Sequence, residues 1–284
     1  MPAEACNLGG IGTLSNPKNR SYSRIYREVQ SLRNPWSRAH GYYQRRIASF
    51  LFRRPLVIDL KRPLISFTFD DFPRSALFAG GSILNQFGLA GTYYVSLGLA
   101  GQQTATGEMF LPQDLRTVLE QGHELGCHTF AHCHSWRTDP GNYEQSVLEN
   151  QTALKALVPG AEFKTFSYPI SPPRPLSKAK VAKRFLCCRA SGQSFNTGTV
   201  DLNQLAAYFL EQSRDNFLAV KDVIDRNCRA RGWLILATHD VADLPTRYGC
   251  TPAFFSAVVQ YAISSGSRIL PVAKALDELV QNDS

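Results

Sequence analysis

The chain has 284 residues, 44% of them hydrophobic, and a formal net charge of +8 at pH 7. That apolar fraction excludes a disordered chain, and no apolar run reaches the roughly 18–20 residues of a membrane span. Residues 1–62 hold twelve Lys and Arg against three acids (Glu4, Glu28, Asp59), while the rest holds 19 basic and 20 acidic residues, so the near-neutral body speaks against a nucleic-acid enzyme with a basic groove.

The length suits one barrel-sized domain of ~250 residues plus an extension as well as it suits two domains. The N-terminus lacks an apolar stretch followed by a cleavage site, so a cytoplasmic location is expected. Seven cysteines without a CxxC pair read as free thiols in a reducing compartment. Residues 1–62 read as a basic, partly helical extension, with two short helices between Ser21 and Phe52 interrupted at Pro35. Such an arm either packs on the protein or makes peripheral contact with an anionic membrane surface.

From Leu64 onward, short β-rich runs alternate with amphipathic stretches. The strands expected are Leu64–Phe69, Gly91–Ser96, Glu124–His128, Lys164–Tyr168, Arg184–Arg189, Trp233–His239 and Arg268–Val272. Between them, helices are expected over Ser75–Phe87, Pro112–Gln121, Asn142–Leu157, Asp215–Arg231 and Pro252–Ser264, with a closing helix from Val272. The alternation predicts an α/β fold with a parallel sheet, and near-continuous apolar strands such as Trp233-Leu-Ile-Leu-Ala237 predict burial on both faces. About seven units fit a distorted (β/α) barrel over residues 63–284, with an open doubly wound sheet as the alternative.

Ligands of parallel α/β folds meet the carboxyl ends of the strands. Those ends carry Asp70-Asp71, His128 with His132, Tyr168-Pro169 and His239. Adjacent carboxylates on an extended chain point apart, so one of Asp70 and Asp71 can ligate a metal while the other moves a proton; a turn ahead of Pro73 is the plainer reading. His128 and His132, at i and i+4, fit a two-His clamp on a helix face or in a tight turn, which with a carboxylate suits Zn²⁺, Fe²⁺ or Co²⁺. Four of the six histidines fall between 123 and 134, and His134 is a candidate for supporting the clamp. His239, emerging from the most apolar strand, fits a general acid.

In chain order, Thr68-Phe-Asp-Asp71, His128-Thr-Phe-Ala-His132, Phe166-Ser-Tyr-Pro169 and Leu236-Ala-Thr-His239 resemble the motifs of the polysaccharide deacetylase family, the NodB-homology domain of carbohydrate esterase family four. Gly91-Thr-Tyr-Tyr-Val95 looks like that family's second strand, and the resemblance spans roughly 63–280. It implies a metal-dependent hydrolase that removes N-acetyl groups from an amino sugar or an oligo- or polysaccharide. One divalent ion, zinc the expected one, would be held by Asp71, His128 and His132. Asp70 would be the general base, His239 the general acid, and the Ile170 N–H an oxyanion donor.

The sequence departs from the family pattern at four points, one of them Ile170, which stands where an aromatic usually follows the proline. No Arg stands near Ser167 to pair with the base, and Arg189 is the candidate replacement. No clear Asp orients the acid histidine; Asp201 is a candidate, with an ordinary loop carboxylate the plainer reading. Phe72 stands where glycine is usual, and a bulky residue there would narrow the cleft. Tyr168, Pro169, Arg189 and His134 are therefore taken as substrate-contacting or supporting residues. Two other functions compete with the carbohydrate N-deacetylase: hydrolysis of a small non-carbohydrate amide, and a non-enzymatic binding role for which the basic arm is the motive. A carbohydrate is the expected partner, with no nucleic acid and no transmembrane segment.

Overall fold

Runs of two to six residues, several of them rich in β-branched and aromatic side chains, make the strands: β1 (Pro55–Ile58), β2 (Leu64–Phe69), β3 (Thr92–Val95), β4 (Gln103–Thr104), β5 (Gly107–Glu108), β6 (Glu124–Cys127), β7 (Thr165–Ser167), β8 (Cys187–Arg189), β9 (Gly198–Asp201), β10 (Tyr208–Phe209), β11 (Trp233–Thr238) and β12 (Arg268–Ile269). The helices are α1 (Ser82–Gln86), α2 (Asp114–Glu120), α3 (Pro140–Leu157), α4 (Pro175–Val181), α5 (Phe217–Ala230), α6 (Pro252–Ser264) and α7 (Val272–Gln281), with a π-helical turn over Ala76–Gly81 leading into α1. This computed structural model describes residues 43, 46–170, 172–213 and 215–281. The basic extension expected over 1–62 therefore lies largely outside the described residues; its described part is helical over 46–50.

The main sheet runs β10-β11-β2-β3-β6-β7-β8, all parallel, with β12 paired to the start of β2. Past β8 the chain turns back on itself. Cys188 N–H donates to Leu202 O and Ala190 N–H to Leu205 O, after which β10 joins β11. The sheet thus curls into a distorted (β/α) barrel with seven parallel strands in its path, rather than the open doubly wound alternative. Two expected strand ends shift by three residues, and the other strand ends by at most one. The β8 strand begins at Cys187, not Arg184, because Arg184 N–H bonds Val181 O in the turn after α4. The last strand ends at Ile269, and Val272 opens α7.

Alternate residues of a strand face opposite sides, and the two cores follow that parity. Ile65, Phe67, Phe69, Tyr93, Val95, Leu125, Cys127, Leu234 and Leu236 pack outward with helix residues such as Phe255 and Val258. Leu64, Cys187, Trp233, Ile235 and Ala237 point to the other side, into a second core closed by Val272, Leu276 and Leu279 of α7. Continuing the inward parity past each strand end gives Asp70, His128, Arg189 and His239.

The far end of the barrel is plugged by polar pairing. Glu124 accepts from Thr165 Oγ1 at 2.5 Å, from Thr92 Oγ1 at 2.9 Å and from Ala273 N at 2.9 Å, while Thr92 Oγ1 accepts from Val272 N. A carboxylate distant in sequence thereby caps the start of α7. Outside the barrel, β1 pairs antiparallel with β9. The buried Lys178 Nζ donates to Asp201 Oδ2 and to Ala48 O, both at 2.6 Å, tying residues near 48 to the body. No helix among the described residues is long and apolar enough to cross a membrane. The six described cysteines are free thiols.

Candidate active site and metal centre

The strand ends meet through the backbone. Asp70 N–H donates to Thr238 O at 2.9 Å, bringing the Asp70-Asp71 pair beside His239. His128 N–H bonds Val95 O, and Tyr168 N–H bonds Arg189 O. The His128–His132 segment forms a tight turn, with Thr129 and His132 both at positive φ and Thr129 Oγ1 accepting from Cys133 N at 2.9 Å.

Asp71, His128 and His132 are buried, and their ligating atoms lie within 4.8 Å of one another. Asp71 Oδ1 stands 3.1 Å from His132 Nε2 and 3.6 Å from His128 Nε2. It accepts no hydrogen bond of good geometry, whereas Oδ2 accepts from Thr106 Oγ1 at 3.2 Å. His128 Nδ1 lies 2.8 Å from Ser167 O. A carbonyl only accepts, so Nδ1 carries the proton and Nε2 offers its lone pair to the centre. Burial pushes His128 down to about 4, keeping the ring neutral, with Asp70 and Asp71 opposing and His132 adding to the effect. Burial would raise the Asp71 carboxyl, but His132, His239 and His128 outweigh it and hold it well below the usual range. Two imidazoles and an ionised carboxylate, buried and convergent, fit a divalent ion with open positions for water and substrate.

Asp70 takes a different partner. The Arg189 guanidinium donates to Asp70 Oδ1, both groups buried. Arg189 is packed between the rings of Tyr94, 4.6 Å away, and Phe209, 5.5 Å away. The structure therefore brings Arg189 to the carboxylate from β8. His239 Nδ1 lies 3.1 Å from Tyr248 O and 3.7 Å from Glu211 Oε1. Burial pulls His239 down, but Glu211, Asp71, Asp70 and the Tyr248 carbonyl together raise it. Burial pushes Glu211 up to about 7, against the pull of His239.

Glu211 and Thr106 did not stand out in the sequence. Glu211 sits in a short 3₁₀ turn, Leu210–Ser213, directly after β10, and strand-end position is the signal that could have found it. Asp201 is occupied elsewhere, by Lys178, the Arg54 N–H and the Asn203 N–H. Tyr168 is buried, with its hydroxyl on Asn203 O at 3.2 Å. Pro169 is buried beside it, and Ile170 follows at φ +70°, with its side chain partly exposed. His134 Nδ1 accepts from Trp136 N at 3.3 Å, and burial, aided by Arg137 and His132, pushes it down to about 4. Phe72 is at φ +60°, yet its ring is wholly buried against Phe110 at 5.0 Å and Tyr93 at 4.9 Å. Its bulk goes into the core, where packing offsets the cost of the backbone.

A family model described as polysaccharide deacetylase matches residues 58–185. A search of curated proteins finds no match. Among solved structures, the chain is similar to the chitin deacetylase of the fungal pathogen Colletotrichum lindemuthianum, at 16% identity and TM-score 0.56, covering 77% of this chain and 89% of that one. It is similar to a family 4 acetyl xylan esterase from Clostridium thermocellum bound to a cobalt ion, at 19% identity and TM-score 0.54, covering 76% and 91%. It is also similar to a family 4 pseudoenzyme from Bacillus anthracis, at 11% identity and TM-score 0.53, covering 77% and 66%. At these identities the likeness is one of fold, and a fold hosts inactive relatives as well as enzymes. Sequence motifs, family model and barrel point the same way: residues 58–185 match the polysaccharide deacetylase family model, and the fold is the one its solved members share.

Proposed function

We propose that the protein is a metal-dependent hydrolase that removes N-acetyl groups from an amino sugar or its oligomers. The observation that carries this reading is the buried convergence of Asp71, His128 and His132 on one point, with Asp70 and His239 beside it. A divalent ion there, zinc by the chemistry of the donors, would polarise the acetamide carbonyl and lower the pKa of a water.

The chain's own groups do the rest. Asp70, held by Arg189, takes the water's proton during attack. The Ile170 N–H, presented by a left-handed backbone, donates to the developing oxyanion. His239 protonates the departing amine, a poor leaving group otherwise. Its raised pKa favours the acid form, and Glu211 and the Tyr248 carbonyl fix the ring so that the second ring nitrogen faces the substrate. The hydrogen bond from Arg189 to Asp70 supplies the arginine partner missing near Ser167, which weakens one motive for a small non-carbohydrate amide as substrate and leaves the other, Ile170, standing.

Acetate release from N-acetylglucosamine oligomers tests the proposal. Release should vanish with chelator, return with added zinc, and be lost in Asp70→Asn while metal content is retained. An Asp70→Asn variant of undiminished rate would overturn the base assignment.

A further inference from the structure

The connections that leave the carboxyl ends of β6, β7 and β11 run to α3, α4 and α6, and so surround the site. Each carries one arginine: Arg137, Arg174 and Arg247. Arg137 and Arg247 are exposed, and Arg174 is half-buried. None has a carboxylate partner among the described residues, although the body of the chain is close to neutral overall.

The acids of the same rim are committed or apart. Glu108 and Asp114 pair with Arg74. Asp139 caps α3, accepting from Gly141 N and Asn142 N. Asp240 is buried and accepts from Thr246 N and Oγ1. Asp243 is exposed four positions before Arg247 and forms no ion pair with it.

The Arg247 side chain and the loops that carry Arg137 and Arg174 are held in place. Arg247 lies over the Tyr248 ring at 4.5 Å and donates to its hydroxyl, and that ring lies 5.5 Å from His239. Arg174 N–H donates to Ser135 Oγ at 2.5 Å and Trp136 Nε1 to Pro172 O at 2.9 Å, which joins the loops bearing Arg137 and Arg174 just beyond His132 and Ile170. Guanidinium groups without a carboxylate partner, on loops tied to one another, suit bidentate capture of carboxylates.

We propose that the mouth of the barrel selects an anionic saccharide, one bearing carboxylates near the N-acetyl group, through Arg137, Arg174 and Arg247. This deepens the deacetylase reading and rests on it for the identity of the reacting group. It commits the substrate to acidic glycans rather than neutral chitin-like chains.

The test compares equilibrium binding of two probes that share the N-acetylglucosamine unit: a chitin hexamer, neutral, and a hyaluronan hexasaccharide, which alternates it with glucuronate. The full-length, zinc-loaded protein should bind the hyaluronan probe about tenfold more tightly at low salt, with the preference shrinking as salt rises. Arg137→Ala/Arg174→Ala/Arg247→Ala should bring the two affinities together, and the triple Lys variant should keep part of the preference. Circular dichroism and thermal unfolding confirm that the variants fold. Equal affinities in the wild-type protein, or a preference that survives the triple Ala change, overturn the proposal. Binding is read apart from turnover, so a protein that prefers the anionic probe but releases no acetate from either sinks the deacetylase reading alone.

Discussion

The Arg189 guanidinium donates to Asp70 Oδ1, joining two buried residues 119 positions apart. Neither is comfortable without the other. Arg189→Ala leaves a carboxylate in an apolar, aromatic-walled site, a loss of about 3–5 kcal/mol in unfolding free energy. Adding Asp70→Asn to that variant should recover part of the loss, because the orphaned charge is gone. Denaturant titration of the wild type, the two single variants and the double variant reads the coupling. Deacetylation by Arg189→Ala should fall about 100-fold or more with metal content intact.

Glu211 sets the behaviour of His239. Its carboxylate is the foremost group raising the imidazole against burial, so Glu211→Gln lowers the pKa of His239. The acid form is then lost at lower pH, and the alkaline limb of kcat/KM moves down by about one pH unit. His239→Ala should lose about 10²–10⁴ in rate at every pH. A Glu211→Gln profile superimposable on the wild type would remove Glu211 from this role.

Thr106 donates to one oxygen of Asp71 and leaves the other facing His128 and His132, where a metal would bind in the proposed site. Thr106→Val, similar in volume but without the hydroxyl, should weaken zinc binding about tenfold. Asp71→Asn and His132→Ala should leave the purified protein without stoichiometric metal. Competition with a chromophoric chelator orders the three variants.

His123 is a neutral core group, with Nδ1 accepting from Gly91 N at 3.0 Å and burial pushing it down to about 4. Above pH 6.5 it is neutral in both folded and unfolded chains and has no effect on the pH dependence. Between pH 6.5 and 4 the unfolded chain binds a proton that the fold refuses, so stability is lost as pH falls. His123→Asn keeps an acceptor and cannot titrate. Its stability relative to wild type should therefore improve across that window, by at most about 3 kcal/mol. Parallel denaturation curves at pH 7.5 and 4.5 measure the difference.

Phe72 belongs to the core rather than the cleft. Phe72→Gly eases a positive φ but deletes a ring stacked on Phe110 and packed at a tilt against Tyr93, for a net cost of about 2–4 kcal/mol. Thermal unfolding should register the loss. A variant of unchanged stability with altered substrate affinity would instead place the ring at the cleft.

The sequence by itself determined the strand–helix alternation, the parallel class of the sheet and the residues at the strand ends. Those depend on local periodicity: continuous apolar runs such as Trp233–Thr238 need two buried faces, and titratable residues following them have one end of the barrel to occupy. The His128-x-x-x-His132 spacing was legible for the same reason. Which groups pair was legible only in part: Arg189 stood as the candidate partner of Asp70, whereas Glu211 did not stand out. Arg189 meets Asp70, and Glu211 meets His239, only because β8 and the turn after β10 curl back to β11 and β2, and sequence separation carries no record of that curl. Asp201 and Glu211 are both acids beside short strands, and packing alone assigned one to Lys178 and the other to His239. Phe72 read as an obstruction because identity shows bulk but not direction. Its left-handed backbone turns the ring into the core, and that is decided by the neighbours it finds there.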